Sequence, residues 1–117
     1  MSKSIPRKNK GKNRLALMSF PALWELARVY TMGAKKYEAR AWEQGMSYTE
    51  TLDSALRHIW LFAMGHTADE DPPHCHPLAH AIWNLVALLH YELNESGCYD
   101  QFKDLSEAVY MPRSTEE

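Results

Sequence analysis

Apolar side chains recur through the middle of the chain at steps of three and four, the period of an α-helix buried along one face. From Phe20 to about Arg40 the stripe is Phe20, Leu23, Trp24, Ala27, Tyr30, Ala34 and Tyr37. Pro21 is tolerated in a first turn, where its missing N–H has no intrahelical partner, and Gly33 is a place for a break or bend. A second helix is predicted over Tyr48–Met64, with Leu52, Ala55, Leu56, Ile59, Phe62 and Ala63 toward the core. Ser47 and Glu50 have the spacing of a capping box at its start, and Gly65 is placed to end it. A third helix runs from Pro77 to Glu95 through Leu78, Ala81, Ile82, Leu85, Val86, Leu88 and Leu89, with Gly97 as its stop. It is apolar nearly all round, so it belongs at the centre of a bundle or at a subunit interface, where Trp83, Val86 and Leu89 need cover.

Residues 41–47 and 66–76 read as loops; the second holds two adjacent prolines that forbid a regular helix. A fourth short helix is predicted around Tyr99–Val109, followed by a polar tail. No strand-type alternation occurs. The fold class is therefore all-α, a small helical bundle with a basic, partly disordered N-terminal arm over residues 1–10, a helical domain over 11–97, and a short C-terminal helix and tail over 98–117.

A length of 117 residues suits one domain, so a site must come from one core or from a subunit interface. The net charge of −2 conceals a division. Lys3, Arg7, Lys8, Lys10, Lys12 and Arg14 give the arm +6 with no acid before Glu25; the rest holds seven basic and all fifteen acidic side chains, a net −8. An acidic body without a basic recognition helix argues against duplex DNA as a partner. The charged N-terminus is followed by no apolar run of secretory length, and no stretch is apolar enough to span a membrane, so a cytoplasmic location is expected. Cys75 and Cys98 are too few for a disulfide scaffold and are expected to stay reduced.

Three groups of polar residues interrupt the apolar pattern. His76, His80 and Asn84 lie four apart on the third helix, a stripe that forms a polar pocket or is satisfied by a neighbouring helix. On the second helix, Asp53 and Arg57 are spaced for an ion pair, and His58 lies on a more buried flank from which it could face the His80/Asn84 stripe. The third group is Lys35, Lys36, Tyr37, Arg40 and Trp42. Lysines at a helix C-terminus favour the helix dipole, and the same set supplies charge for phosphate and rings for a base. Glu50 with Asp53, and Glu92 with Glu95, place paired carboxylates on one helical face, where they could hold Mg²⁺. Asp69, Glu70 and Asp71 are the acids nearest the histidine stripe. Phosphate-loop, dinucleotide-fold, nucleophile-elbow and zinc-protease motifs are all missing.

Several ordered blocks carry a family resemblance: Gly11-Lys12-x-Arg14, Gly33-Ala34-Lys35-Lys36-Tyr37, Trp42 with Gly45-Met46, Arg57-His58, and His76 with His80 and Asn84. Over residues 11–93 the chain resembles a phage-associated family described as the N-terminal domain of dATP/dGTP diphosphohydrolases, distantly similar to MazG-like all-α nucleoside triphosphate pyrophosphohydrolases. The resemblance implies an oligomeric helical bundle, a nucleotide ligand and Mg²⁺-dependent cleavage between the α- and β-phosphates. The MazG-like enzymes hold their metal on an EExxE and a later ExxD. Here the ExxD comes before the ExxE and no EExxE is present.

Two functions are consistent with these residues. In the first, the chain is a (d)NTP pyrophosphohydrolase releasing a monophosphate and pyrophosphate, with Asp53, His58 and His80 catalytic, and Mg²⁺ on Glu50, Asp53 or Asp69. Lys12, Arg14, Lys35, Lys36, Tyr37, Trp42, Arg57, His76 and Asn84 would bind the nucleotide. In the second, it is an oligomeric binder that encloses a nucleotide-derived signal of bacterial anti-phage immunity without turnover. If phage-encoded, either would act in the host cytoplasm. Lys12 and Arg14 are expected to fold over the pocket, of a neighbouring subunit if not their own.

Overall fold

The computed structural model describes residues 6, 8 and 10–94. Three helices, α1 (Phe20–Lys36), α2 (Tyr48–Ala63) and α3 (Pro77–Asn94), carry the fold, with short 3-10 turns at Leu15–Leu17 and Ala41–Gln44. No strand occurs among the described residues, so the all-α class stands. None of these helices is long and apolar enough to cross a membrane. The fourth helix expected around Tyr99–Val109 lies outside the described residues.

Local chemistry sets the helix ends. The Ser19 hydroxyl accepts the Ala22 N–H at 3.2 Å and begins α1, with Pro21 in the first turn. The Ser47 hydroxyl accepts the Glu50 N–H at 3.3 Å and begins α2. At the other end of α2, Gly65 takes φ +101°, its N–H donates to the Phe62 carbonyl at 2.9 Å, and the His66 N–H donates to the Leu61 carbonyl at 3.0 Å. That pair of bonds is a Schellman closure, and its left-handed position favours glycine. His76 caps α3 through its ring: Nδ1 accepts the Leu78 N–H at 3.0 Å, which fixes the ring proton on Nε2 if the imidazole is neutral.

α1 stops earlier than its apolar period predicts. It passes through Gly33 without a break, ends at Lys36, and leaves Tyr37 extended. The cause is tertiary. Trp42 is drawn inward against Tyr30 and Trp83, at ring separations of 6.0 and 6.4 Å, and its carbonyl accepts the Tyr91 hydroxyl. A helix continued to Arg40 would carry Trp42 away from that contact.

α3 is central. α1 and α2 each pack on it and make no comparable contact with one another among the described residues. Val29 of α1 packs on Cys75 and Ala79, flanked by Met32 and Trp83. Ala55 on α2 and Ala87 on α3 are fully buried, and methyl side chains at such points let helix backbones approach closely.

The buried faces match the predicted ones at Ala55 and Ala81 and differ at many other positions. On α1 the buried residue is Val29, whereas Phe20, Leu23, Trp24 and Tyr37 are exposed. On α2 Thr51 and Ala55 are buried, while Leu56 (53% exposed), Ile59 and Phe62 are not. On α3 Ile82, Leu85 and Leu89 (58%) are exposed, and the small residues Ala79, Ala81 and Ala87 go inside with Tyr91. Trp83 is partly buried, with Tyr30 and Trp42 against its ring. A three-helix interior of this size takes small side chains at its close contacts, and the larger apolar ones are left over.

Candidate functional site

Because α1 and α2 both lean on α3 but not on each other, a cleft opens between them. It is a cavity of about 970 Å³ with α3 at its base. Tyr30, Trp42 and Trp83 form its aromatic end, with their rings 6.0–6.4 Å apart and steeply inclined to one another. Lys36 and Arg40, from the end of α1 and the turn beyond it, bring positive charge to the wall. Arg40 is paired with Glu43. Ser54 and His58 of α2 face His80 and Asn84 of α3 across the polar end.

The imidazoles of His58 and His80 stack, with centroids 4.7 Å apart and planes inclined by only 16°. His58 Nδ1 and His80 Nε2 are both buried with no hydrogen-bond partner. The nearest carboxylate, Asp69 Oδ2, lies 3.6 Å from His80 Nε2, outside hydrogen-bond reach. Burial pushes the pKa of each histidine below its ordinary value. The neighbouring His80 adds to that effect at His58, whereas Asp69 opposes it at both rings. Both rings are therefore neutral near pH 7, and two stacked imidazolium ions would repel at this distance. Asn84 is buried; its amide nitrogen donates to the His80 carbonyl at 2.8 Å, which fixes the side chain across the base of the cavity.

A hydrogen-bonded brace holds this geometry from the other flank of α3. Glu25 of α1 accepts the His76 N–H at 2.9 Å and grips Arg28 through both oxygens at 2.9 and 3.0 Å. Arg28 in turn donates to the Pro73 carbonyl at 2.6 Å. These bonds, chiefly that from His76, hold the Glu25 carboxyl below its ordinary pKa. They also tie the proline loop and the start of α3 to α1.

Of the residues singled out from the sequence, Lys36, Tyr37, Arg40, Trp42, His58, His80 and Asn84 line the cavity together. Lys35 instead lines a groove of about 740 Å³ on the outer side of α1, which also has Lys36 in its wall. His76 serves as the cap of α3, with its ring 5.6 Å from Phe62, and does not line the cavity. Asp53 and Arg57 are exposed on α2 and form no ion pair with each other. Lys12 and Arg14 are exposed and line neither cavity nor groove. Tyr30, read as part of the apolar stripe of α1, and Trp83, expected to need cover at a bundle centre or a subunit interface, line the cavity. Ser54 could have been found from its place one turn before His58.

The Mg²⁺ implied by the resemblance has no matching donor set among the described residues. No three His, Cys, Asp or Glu side chains gather there as a metal site. Glu50 and Asp53 are exposed on α2, Asp69 stands beside His80, and Glu92 accepts the Tyr48 hydroxyl. The carboxylates are dispersed where a two-metal cradle would need them together.

No curated protein and no solved structure matches the chain. A family model does, over residues 2–101, a span that includes all three helices and the cleft between them. The chain belongs to the family described as dATP/dGTP diphosphohydrolase, N-terminal.

Proposed function

We propose that the cleft binds a purine deoxynucleoside triphosphate and that the chain releases the monophosphate and pyrophosphate from it. The observation that carries this reading is the convergence on one cavity of three aromatic rings, two cations and two imidazoles, each with a buried ring nitrogen that has no hydrogen-bond partner. The base would lie among Tyr30, Trp42 and Trp83, and Lys36 and Arg40 would meet the phosphates. A neutral imidazole of the His58–His80 pair would take a proton from the water attacking the α-phosphorus as the bond to the bridging oxygen breaks and pyrophosphate leaves. Asp69, beside His80, would favour the resulting imidazolium.

A second reading, a binder that holds a nucleotide-derived immune signal intact, is favoured by one specific observation, that no carboxylates gather as a metal site among the described residues. In both readings the chain acts as a homo-oligomer. The support is the apolar surface left on α2 and α3, where Leu56, Trp60 and Leu89 are each more than half exposed. Lys12 and Arg14 would then reach the site of a neighbouring copy.

Incubation with dATP and dGTP, with and without Mg²⁺ or Mn²⁺, followed by chromatography of products and retained ligand, separates the two readings. Monophosphate and pyrophosphate in equal amounts support the hydrolase. Intact nucleotide released on denaturation, one per site, supports the binder. If neither nucleotide is bound or consumed, the hydrolase reading fails.

A further inference from the structure

The cleft and the outer groove meet along α1. Thr31, Met32 and Lys36 line both, so the two spaces share a wall with a cation in it. The cleft alone, at about 970 Å³, is at the upper end of what one small ligand occupies, and the groove adds about 740 Å³. The groove also has an orderly floor. Trp24, Ala27, Thr31 and Lys35 follow one another at helical spacing, so an apolar ring lies at one end and a cation at the other. Trp24 is 75% exposed and is the one aromatic side chain lining the groove among the described residues; Pro72 and Pro73 line it as well. The Arg28 bonds to Glu25 and to the Pro73 carbonyl clamp these prolines to α1. Arg28 is therefore a fastening, and the cations open to a ligand are Lys35 and Lys36.

We propose that groove and cleft together take a dinucleotide, two nucleosides joined through phosphates, with one base in the cleft, the phosphates along Lys36 and Lys35, and the second base on Trp24. This rests on the cleft being a nucleotide site and extends it to a second base. The arrangement has the required order of ring, charge and ring. From Trp24 to Lys36 the helix rises about 18 Å, a span that needs a bridge of several phosphates rather than one. An exposed indole in a groove that proline rings also line suits a heteroaromatic ring, and stacking of this kind tolerates any base.

The test is calorimetric titration of the full chain with dATP and with diadenosine tetraphosphate, for the native protein, Trp24→Ala and Lys36→Ala. The tetraphosphate is expected to bind about tenfold more tightly than dATP, the contribution of one stacked base. Trp24→Ala should remove that advantage and leave dATP affinity unchanged, while Lys36→Ala should weaken both. The exposure of Trp24 makes loss of folding in its variant unexpected. Equal affinity of the native protein for the two ligands, or an equal loss of both in Trp24→Ala, overturns the second-base site and leaves the cleft standing. No binding of either overturns both. A change of mass in solution on Trp24→Ala would assign the indole to a contact between copies and overturn the proposal too.

Discussion

The cleft and the groove use the same helix in different ways. The groove is floored by one helical face, Trp24, Ala27, Thr31 and Lys35, and lined as well by the proline loop. The cleft draws its lining from three helices and the segment after α1, and its polar end exists only because α2 and α3 bring His58 and His80 to 4.7 Å. A surface built on one helix survives small shifts of its neighbours. A site assembled across helices depends on their packing, so its chemistry and the stability of the fold are coupled. Substitutions of the cleft's buried side chains should therefore change folding and binding together, whereas those of exposed side chains, in the groove or at the cleft's rim, should change binding alone.

The largest effect is expected from His80→Ala. Removing a buried ring that stacks on His58 leaves a cavity, and urea unfolding should show a loss of about 2–3 kcal/mol. His80→Phe keeps a stacking ring and should recover most of that stability without recovering turnover. If His80→Phe turns over nucleotide at the native rate, the imidazole has no part in the chemistry. Next is Lys36→Ala, which is exposed and should leave the unfolding midpoint in place. Loss of a charge-assisted contact to phosphate should weaken dATP about ten- to hundredfold by calorimetry. An unchanged affinity would place the phosphates elsewhere.

The pH dependence of stability sharpens the contrast. His58 and His80 have folded pKa values depressed mainly by burial, so the unfolded chain binds more protons than the folded one as pH falls through the ordinary histidine range. Their contribution is fully present above about pH 6.5 and is lost below it, toward their folded values. Thermal midpoints should therefore fall between about pH 7 and 5, and His80→Phe should flatten that slope. The Glu25 brace acts in a lower window. Its depressed carboxyl pKa means that its contribution is present above the ordinary carboxylate range and disappears as pH falls through it. Glu25→Gln should cost about 1 kcal/mol in urea, the smallest of these effects, because the amide oxygen can still accept the His76 N–H.

Several features of the fold were legible in the sequence. Ser47, Gly65 and Pro77 each act through the backbone within a few residues of themselves, and the structure places them at the helix boundaries read from the sequence. The burial faces were less legible. Trp24 and Ala27 were assigned to a core and lie in the groove; Tyr30, Ala34 and Tyr37 of the same stripe line the cleft. Period three-and-four shows that a helix has an apolar side, but the partner selects which part of that side is covered. Here Cys75 and Ala79 selected Val29. His76 misled for a related reason: its place in the His76, His80, Asn84 series suggested a shared pocket, yet its ring was taken by the Leu78 N–H at the start of α3.

The sequence by itself determined three helices, most of their ends, the basic arm and acidic body, and family membership through its ordered blocks. These follow from interactions between residues near in the chain, or from patterns that need no coordinates. Only the tertiary structure decided that α1 and α2 stand apart on α3, that His58 meets His80, and that Lys36 serves two adjoining spaces. Those outcomes depend on side-chain volumes at helix crossings, where alanines allow close approach and the rings of Tyr30, Trp42 and Trp83 hold the cleft open. Such volumes act between residues far apart in the chain, and no local period records them.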